Sequence, residues 1–304
     1  MRVVVVGAGV IGAACALRLA QAGAEVVLVD RSGIAAETSS RCEGNVLVSD
    51  KSAATSVRAE AELAIVANAM WRELAAELDA ERGDGPATEY EAKGGIVVAF
   101  PGGADALLRF AEGQRAIGIR AEPLDRAALA ALEPDLSPAV ELGVHYPDDA
   151  QVQPSLATQS MAAAALRRGA TVVRAEVTGA RMRGDRIVGV DTTTGPIDAD
   201  AVVVCAGPWS GEVAGRLGTH VDIRPRRGTI LVTTPMRQRI HHKVYDADYV
   251  GAVGSGDAAL QTSTVVESTP AGTVLIGSSR ERVGFDETGT LPALAEIAAK
   301  ATRL

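Results

Sequence analysis

Residues 1–30, MRVVVVGAGVIGAACALRLAQAGAEVVLVD, decide the fold. Val3 to Val6 are a β-branched run that predicts a strand, and Ile11, Leu17 and Leu19 fall in an alanine-rich stretch that predicts a helix. Gly7, Gly9 and Gly12 mark the turn between them. At this spacing Gly7 permits the bend, Gly9 lets a pyrophosphate approach the backbone, and Gly12 lets the helix pack closely on the strand. The helix N-terminus offers N–H groups and a partial positive charge to the phosphates. A second strand, Glu25 to Val29, ends at Asp30, whose carboxylate can accept hydrogen bonds from an adenosine ribose. These features agree with one another, so the stretch reads as a dinucleotide-binding turn rather than a merely structural one. Arg31 reads as a solvated arginine rather than a 2′-phosphate partner, although its place beside Asp30 keeps it among the candidate cofactor contacts.

The rest of the 304 residues narrows the class. A hydrophobic content of 47% supplies a core for one large domain or two joined ones. With 38 acidic against 30 basic residues the net charge is −8, and no basic cluster is long enough to track a phosphate backbone, so nucleic acid is not an expected partner. Arg224, Arg226 and Arg227 form the densest basic patch, suited to capping strands or meeting a small anion. Cys15, Cys42 and Cys205 are odd in number with no CxxC, which points to free thiols in a reducing compartment. His145, His220, His241 and His242 lack metal-ligand spacing and read as surface or loop residues, so no metal is expected. The apolar start is broken by the glycine turn and used as a strand, and no apolar run reaches the ~18 residues of a membrane span. The expectation is a cytoplasmic protein without a transmembrane segment.

After Asp30 an NAD-dependent dehydrogenase would continue at once into further α/β units. This chain instead enters RSGIAAETSSRCEGNVLVSD, a small-residue loop able to wrap a cofactor that extends past its pyrophosphate, with Thr38, Ser39 and the backbone near Gly44 and Asn45 offering hydrogen bonds. Residues 56–82 predict a helix stopped by RGDGP, with Trp71, Leu74 and Leu78 on one face, so Trp71 reads as core. A strand at GGIVVAF and helices near 104–117 and 125–132 follow. Pro154 opens a helix that Gly169 ends, and residues 178–198 alternate and turn as a small β-meander. DAVVVCAG is a second strand running into a glycine turn, as if returning to the first sheet, and Trp209 opens a short helix. Residues 222–283 predict an antiparallel sheet, read as a substrate-facing domain, and 291–304 predict an amphipathic helix.

Six motifs then stand in a telling order: VVGAGVIGAACALRLAQAGAEVVLVD, ETSSRCEGNV, RAEVTG, DADAVVVCAGPWSGEVA, PRRGTILVT and VLIGSSRERVGFD. Over essentially its whole length the chain resembles the FAD-dependent oxidoreductase superfamily of D-amino-acid oxidase and dehydrogenase, glycine oxidase and sarcosine oxidase. The resemblance implies an α/β fold: a Rossmann-like FAD-binding domain of the glutathione-reductase type over 1–82 and 145–220, interleaved with a mostly antiparallel β substrate domain over 83–144 and 221–290. Residues 291–304 would begin the return to the FAD domain. It also implies that Val10 and Ile11 line the pyrophosphate turn and that Thr38, Ser39, Gly44, Asn45 and Val46 line the flavin side. Val177 would meet the adenine through its backbone, and Ala206, Gly207 and Trp209 would border the cofactor.

The implied chemistry is oxidation of a small amine or amino acid by hydride transfer to flavin N5, followed by hydrolysis of the imine, without a catalytic dyad. Candidate substrates are D-amino acids, glycine or sarcosine derivatives and cyclic imino acids. Tyr249 resembles the tyrosine that faces substrate in glycine oxidase-like members; Tyr245 competes, and a structural tyrosine is the third reading. Family members continue past a helix like 291–304 into a strand carrying an arginine for the substrate carboxylate and a GH.G.G turn over the flavin. No motif gives that role to Arg227, Arg280 or Arg282. The alternative expectation is therefore an FAD-binding subunit or remnant inactive on its own, needing a partner subunit; an NAD-dependent dehydrogenase is disfavoured by the loop after Asp30.

Overall fold

The computed structural model describes residues 1–247 and 260–304, and Tyr249 lies outside them. The chain forms two compact units, each built from separated stretches. One comprises Met1–Cys42, Ala75–Glu89 and Gln153–Pro225; the other comprises Glu43–Leu74, Tyr90–Val152 and Arg226–Leu304.

In the first unit, β1 (Arg2–Val6), β2 (Glu25–Asp30), β8 (Thr171–Arg174) and β12 (Ala201–Val204) form a parallel sheet in the order β12-β1-β2-β8. The second strand-to-glycine edge does return to the first strand, with Val3 opposite Ala201 and Val6 opposite Val204. The valines of β1 and β2 are buried because helices and a second sheet cover the ladder, as a parallel sheet requires. Helix α1 (Val10–Gln21) packs on α5 (Pro154–Arg167). Their facing positions are small, with Gly12, Ala13 and Ala16 buried on one and Ala157, Ala162, Ala164 and Ala165 on the other, so the axes can approach closely. The predicted meander is β9 (Val177–Arg183), β10 (Arg186–Thr192) and β11 (Gly195–Asp198). It closes a core of Val4, Val6, Val27, Val29, Val177 and Val190, joined by Val213 of α6 (Ser210–Arg216).

The second unit is a seven-stranded sheet. Its order is β13 (Leu231–Val232), β16 (Val274–Glu281), β15 (Leu260–Ser268), β14 (Lys243–Asp246), β4 (Gly95–Ala99), β6 (Leu142–Tyr146) and β5 (Glu122–Leu124). Every neighbouring pair is antiparallel except β4 and β14, which run parallel and put Tyr245 beside Val97. Alternation along β4 buries both faces. Val97 joins Val144, Tyr146, Tyr245 and Val265 beneath α3 (Ala104–Arg115), while Ile96 and Val98 join Val244, Val266 and Leu129 of α4 (Arg126–Leu132). The terminal helix α7 (Leu291–Ala301) lies along β15 and β16.

A short ladder, β3 (Asn45–Val46) with β7 (Ala150–Gln151), ties residues 43–74 into this unit, although the sequence reading counted them with the nucleotide-binding part. Helix α2 (Arg58–Arg82) contributes to both units; along it Leu74 and Leu78 are buried and Trp71 is half-buried. The two adjacent histidines are not free loop residues. The buried Glu133 carboxylate accepts from the backbone N–H of His241 and His242 (2.9 and 2.5 Å) and lies 2.9 Å from His242 Nδ1. Among the described residues no group of His, Cys, Asp or Glu is placed to hold a metal, and no described helix is long and apolar enough to cross a membrane.

Candidate cofactor-binding site

The glycine turn is built by close backbone contact. Gly7 sits at φ +106° and donates its N–H to Val29 O at 2.8 Å; a Cβ there would fall 2.3 Å from Cys205 O. A Cβ on Gly12 would lie 1.8 Å from Gly7 O, which is why this helix can start so close to the strand. Gly9 is the N-cap of α1 in an ordinary extended conformation and would meet only Ser39 Oγ, at 3.1 Å. Gly9 has no side chain with which to cap α1, the Val10 N–H is taken by Ser39 Oγ, and no acid occupies the first turn, so the remaining N–H groups of the helix end are not neutralised by a carboxylate of the helix itself.

Beside this turn lies a cleft of about 480 Å3, wholly within the first unit. It brings together Gly7, Gly9, Val10, Ile11, Asp30, Arg31, Thr38, Ser39, Val177, Ala206, Gly207 and Trp209. Gly12 stands behind the lining, against Gly7. Gly44, Asn45 and Val46 are not among the lining residues and belong to the second unit.

Two expected residues behave differently from their reading. Asp30 organises the turn: Oδ2 accepts from Ala8 N at 2.8 Å, and Oδ1 accepts from Ser32 N and Gly33 N, both at 2.8 Å. A ribose would compete for what remains of its acceptor capacity. Arg31 is exposed yet not simply solvated, since its guanidinium stacks over the Trp209 ring at 4.4 Å from the centroid. Ser39 fixes the loop to the helix, its Oγ accepting from Val10 N at 2.9 Å. Ser39→Ala is expected to cost about 1 kcal/mol of stability by freeing that N–H, which urea unfolding of the protein would register.

Glu176, Glu212 and Arg216 also line the cleft and escaped the sequence reading. Arg216 Nη1 donates to Glu176 Oε1 at 2.5 Å and to Val177 O at 2.9 Å, and this bond holds the Glu176 carboxyl below the usual range. No local motif links positions 40 residues apart. Only Gly33, at φ +120° in DRSG, carried a readable signal of a turn. Cys205 lines the cleft with its Sγ 3.9 Å from that of Cys15; burial first, then the neighbouring thiol, pushes it up to about 12, so it is a packed thiol rather than a nucleophile.

A parallel sheet whose first strand ends in this turn, with an acid closing the second strand and a cleft lined by both, defines a dinucleotide-binding protein. The chain belongs to the family of FAD dependent oxidoreductases (DAO), matching that family's sequence profile over residues 2–304. It is 31% identical over 306 residues to a glycine oxidase of Pseudomonas aeruginosa, covering all of this chain and 78% of that protein. It is also 30% identical over 247 residues to the anaerobic glycerol-3-phosphate dehydrogenase subunit A1 of Haloferax volcanii, covering 76% of this chain but only 40% of the relative. Among solved structures, glycine oxidase from Geobacillus kaustophilus superposes with a TM-score of 0.86 at 25% identity over all of this chain and 78% of that one. L-proline dehydrogenase from P. horikoshii shares the fold, with a TM-score of 0.84 at 21% identity over all of this chain and 76% of that one.

FAD is accordingly the cofactor of this family, and the first unit fits it. The cradle at Gly9, which a larger side chain would fill, and the acid-free helix end suit a pyrophosphate, and the cleft continuing past Asp30 to Val177 suits an adenosine.

Proposed function

We propose that this protein oxidises a small amino acid or secondary amine: a D-amino acid, a glycine or sarcosine derivative, or a cyclic imino acid. The observation that carries the reading is the alignment of the whole chain with glycine oxidases, 31% identical in Pseudomonas aeruginosa and 28% in Pseudomonas putida. When bound, FAD supplies the hydride acceptor for the carbon that bears nitrogen. The chain's own residues do the placing. The turn from Gly7 to Gly12 holds the pyrophosphate, the Asp30–Arg31 corner and the Val177 backbone hold the adenosine, and Thr38, Ser39, Gly44, Asn45 and Val46 are assigned to the flavin side.

Tyr249 is assigned to the substrate. Tyr245 is buried at 1% exposure within the apolar core of its unit, which favours a packing role for it. Arg227 is a poor carboxylate clamp. Its guanidinium is already bidentate on Glu281 (2.9 and 3.0 Å) and reaches Asp286 at 3.0 Å. The substrate's anion is therefore assigned to another cation, and a partner subunit is one source of it; one relative, 29% identical over 184 residues that span 59% of this chain and 40% of its own, is the hydrogen cyanide synthase subunit HcnC of Pseudomonas protegens. A reducing, cytoplasmic setting is part of this reading, because three cysteines without a CxxC spacing are not the pattern of a disulfide framework.

The test is anaerobic mixing of the FAD-loaded protein with D-amino acids, glycine, sarcosine, proline derivatives, simple alkylamines and glycerol 3-phosphate, following loss of the flavin's visible absorbance. Bleaching by one of the amino acids is expected. Bleaching by alkylamines alone would overturn the amino-acid assignment. Bleaching by glycerol 3-phosphate alone would move the function to alcohol oxidation, the reading the Haloferax relative favours.

A further inference from the structure

Four residues of the second unit, Glu43 to Val46, are held with unusual thoroughness for a loop. The β3–β7 ladder pairs Asn45 with Gln151, Val152 N donates to Gly44 O at 2.9 Å, and Gln151 Nε2 donates to Glu43 O at 3.3 Å. The Glu43 carboxylate rests on the α-carbon of Gly277, where a Cβ would fall 1.8 Å from Oε1. The remaining tether comes from Lys243 on β14. This lysine is 1% exposed, and its strand is paired on both sides, with β4 and β15, so its position is rigid.

Lys243 Nζ donates to Glu267 Oε1 at 2.5 Å and to Asn45 Oδ1, and it lies 3.9 Å from Glu43 Oε2. Asn45 Nδ2 in turn donates to Glu43 Oε2 at 2.8 Å. The amide thus has its oxygen on an ammonium and its nitrogen on a carboxylate, an arrangement with only one favourable orientation. Burying an ammonium is costly, and a buried lysine–glutamate pair is commonly replaceable by apolar residues without loss of stability. An apolar residue at 243 could not, however, hold the Asn45 amide. What the lysine adds beyond packing is therefore its bond to the β3 segment.

We propose that Lys243 is a positioning residue: through Asn45 it sets the conformation of the Gly44–Val46 segment for contact with the flavin, and Glu267 serves as its counter-charge. The proposal rests on the assignment of Gly44, Asn45 and Val46 to the flavin side. It requires that affinity and flavin environment follow the Lys243–Asn45 bond, not the stability of the ion pair.

The experiment measures three quantities on the full chain: the melting temperature of the FAD-free protein, the FAD dissociation constant by titration, and the visible spectrum of the bound flavin. Asn45→Ala should weaken FAD roughly tenfold and alter the spectrum. The double variant Lys243→Met, Glu267→Leu removes the ion pair and leaves the Glu43 carboxylate with only the Asn45 amide, so it should melt somewhat below the wild type yet reproduce the Asn45→Ala affinity and spectrum. Glu267→Gln, the milder change, keeps the Lys243–Asn45 bond and should lower the melting temperature while leaving affinity and spectrum nearly unchanged. An unaltered affinity and spectrum in Asn45→Ala would overturn the flavin-side assignment and the proposal with it. An altered Asn45→Ala beside a double variant of wild-type affinity and spectrum would overturn the role of Lys243 alone. Should the double variant not fold, loss of affinity in Glu267→Gln matching its loss of stability would overturn that role equally.

Discussion

Gly9→Val is expected to yield folded protein that purifies without flavin. Gly9 has an ordinary backbone (φ −73°, ψ −176°), and the single atom a Cβ would crowd is Ser39 Oγ at 3.1 Å, so the variant can fold by moving one hydroxyl. The valine methyls, however, would stand where the phosphates must approach the N-terminus of α1. Gly12→Ala is the contrasting case. Its Cβ would lie 1.8 Å from a backbone oxygen that cannot move without disrupting the turn, so it should lose at least ~3 kcal/mol of stability. Flavin content of the purified proteins and their urea unfolding curves separate the two outcomes. Undiminished flavin in Gly9→Val would show that the cofactor lies elsewhere.

Raising the pH from about 4 to about 7 is expected to destabilise the fold through one carboxylate. Asp149 is fully buried, and burial pushes its carboxyl from 3.8 up to about 7, against hydrogen bonds from the N–H groups of Val48 (2.8 Å) and Ser49 (3.2 Å) that favour the charged form. Between those two pH values the folded protein retains a proton that the unfolded chain has lost. Stability is therefore highest at the acid end of that window, falls through it, and is flat with respect to this group above it. A displacement of this size corresponds to at most about 4 kcal/mol. Asp149→Asn keeps an acceptor for both N–H groups and removes the titration. Ion-paired carboxylates such as Glu81 and Glu176 act in the opposite sense, so the quantity to read is the difference in urea-unfolding stability between wild type and variant, which should decline from the acid end of the window to its upper end. Superimposable pH dependences would exclude Asp149 as the group responsible.

How much of this was readable from sequence depended on the distance over which each interaction acts. The turn at Gly7–Gly12 was legible because its strand, glycines and helix are consecutive, and the meander at 178–198 because alternation and Gly-containing turns are local. The side-chain direction of Asp30 was not. An acid at a strand end looks the same whether or not its oxygens also hold backbone N–H groups, as those of Asp30 hold Ala8, Ser32 and Gly33. Cys15 and Cys205 touch although 190 positions separate them, and Lys243 and Asn45 bond across 198. The parallel pairing of β4 with β14 inside an otherwise antiparallel sheet likewise leaves no local trace, because it depends on which strand the returning chain meets.

The threading of both units carries a consequence for how the chain is made. Arg2 N bonds Asp200, 198 residues downstream, and β1 gains its β12 neighbour only once residues 201–204 exist. β4 must likewise wait for Lys243–Asp246. During synthesis, then, the valine-rich strands near the N-terminus emerge long before their partners, with part of their ladder open to chaperones or to wrong strands. Contacts so distant in sequence make for slow acquisition of structure. Neither unit is a continuous stretch, so no single cut releases one of them intact, and an N-terminal fragment ending before Ala201 would hold the glycine turn on a sheet still lacking one edge.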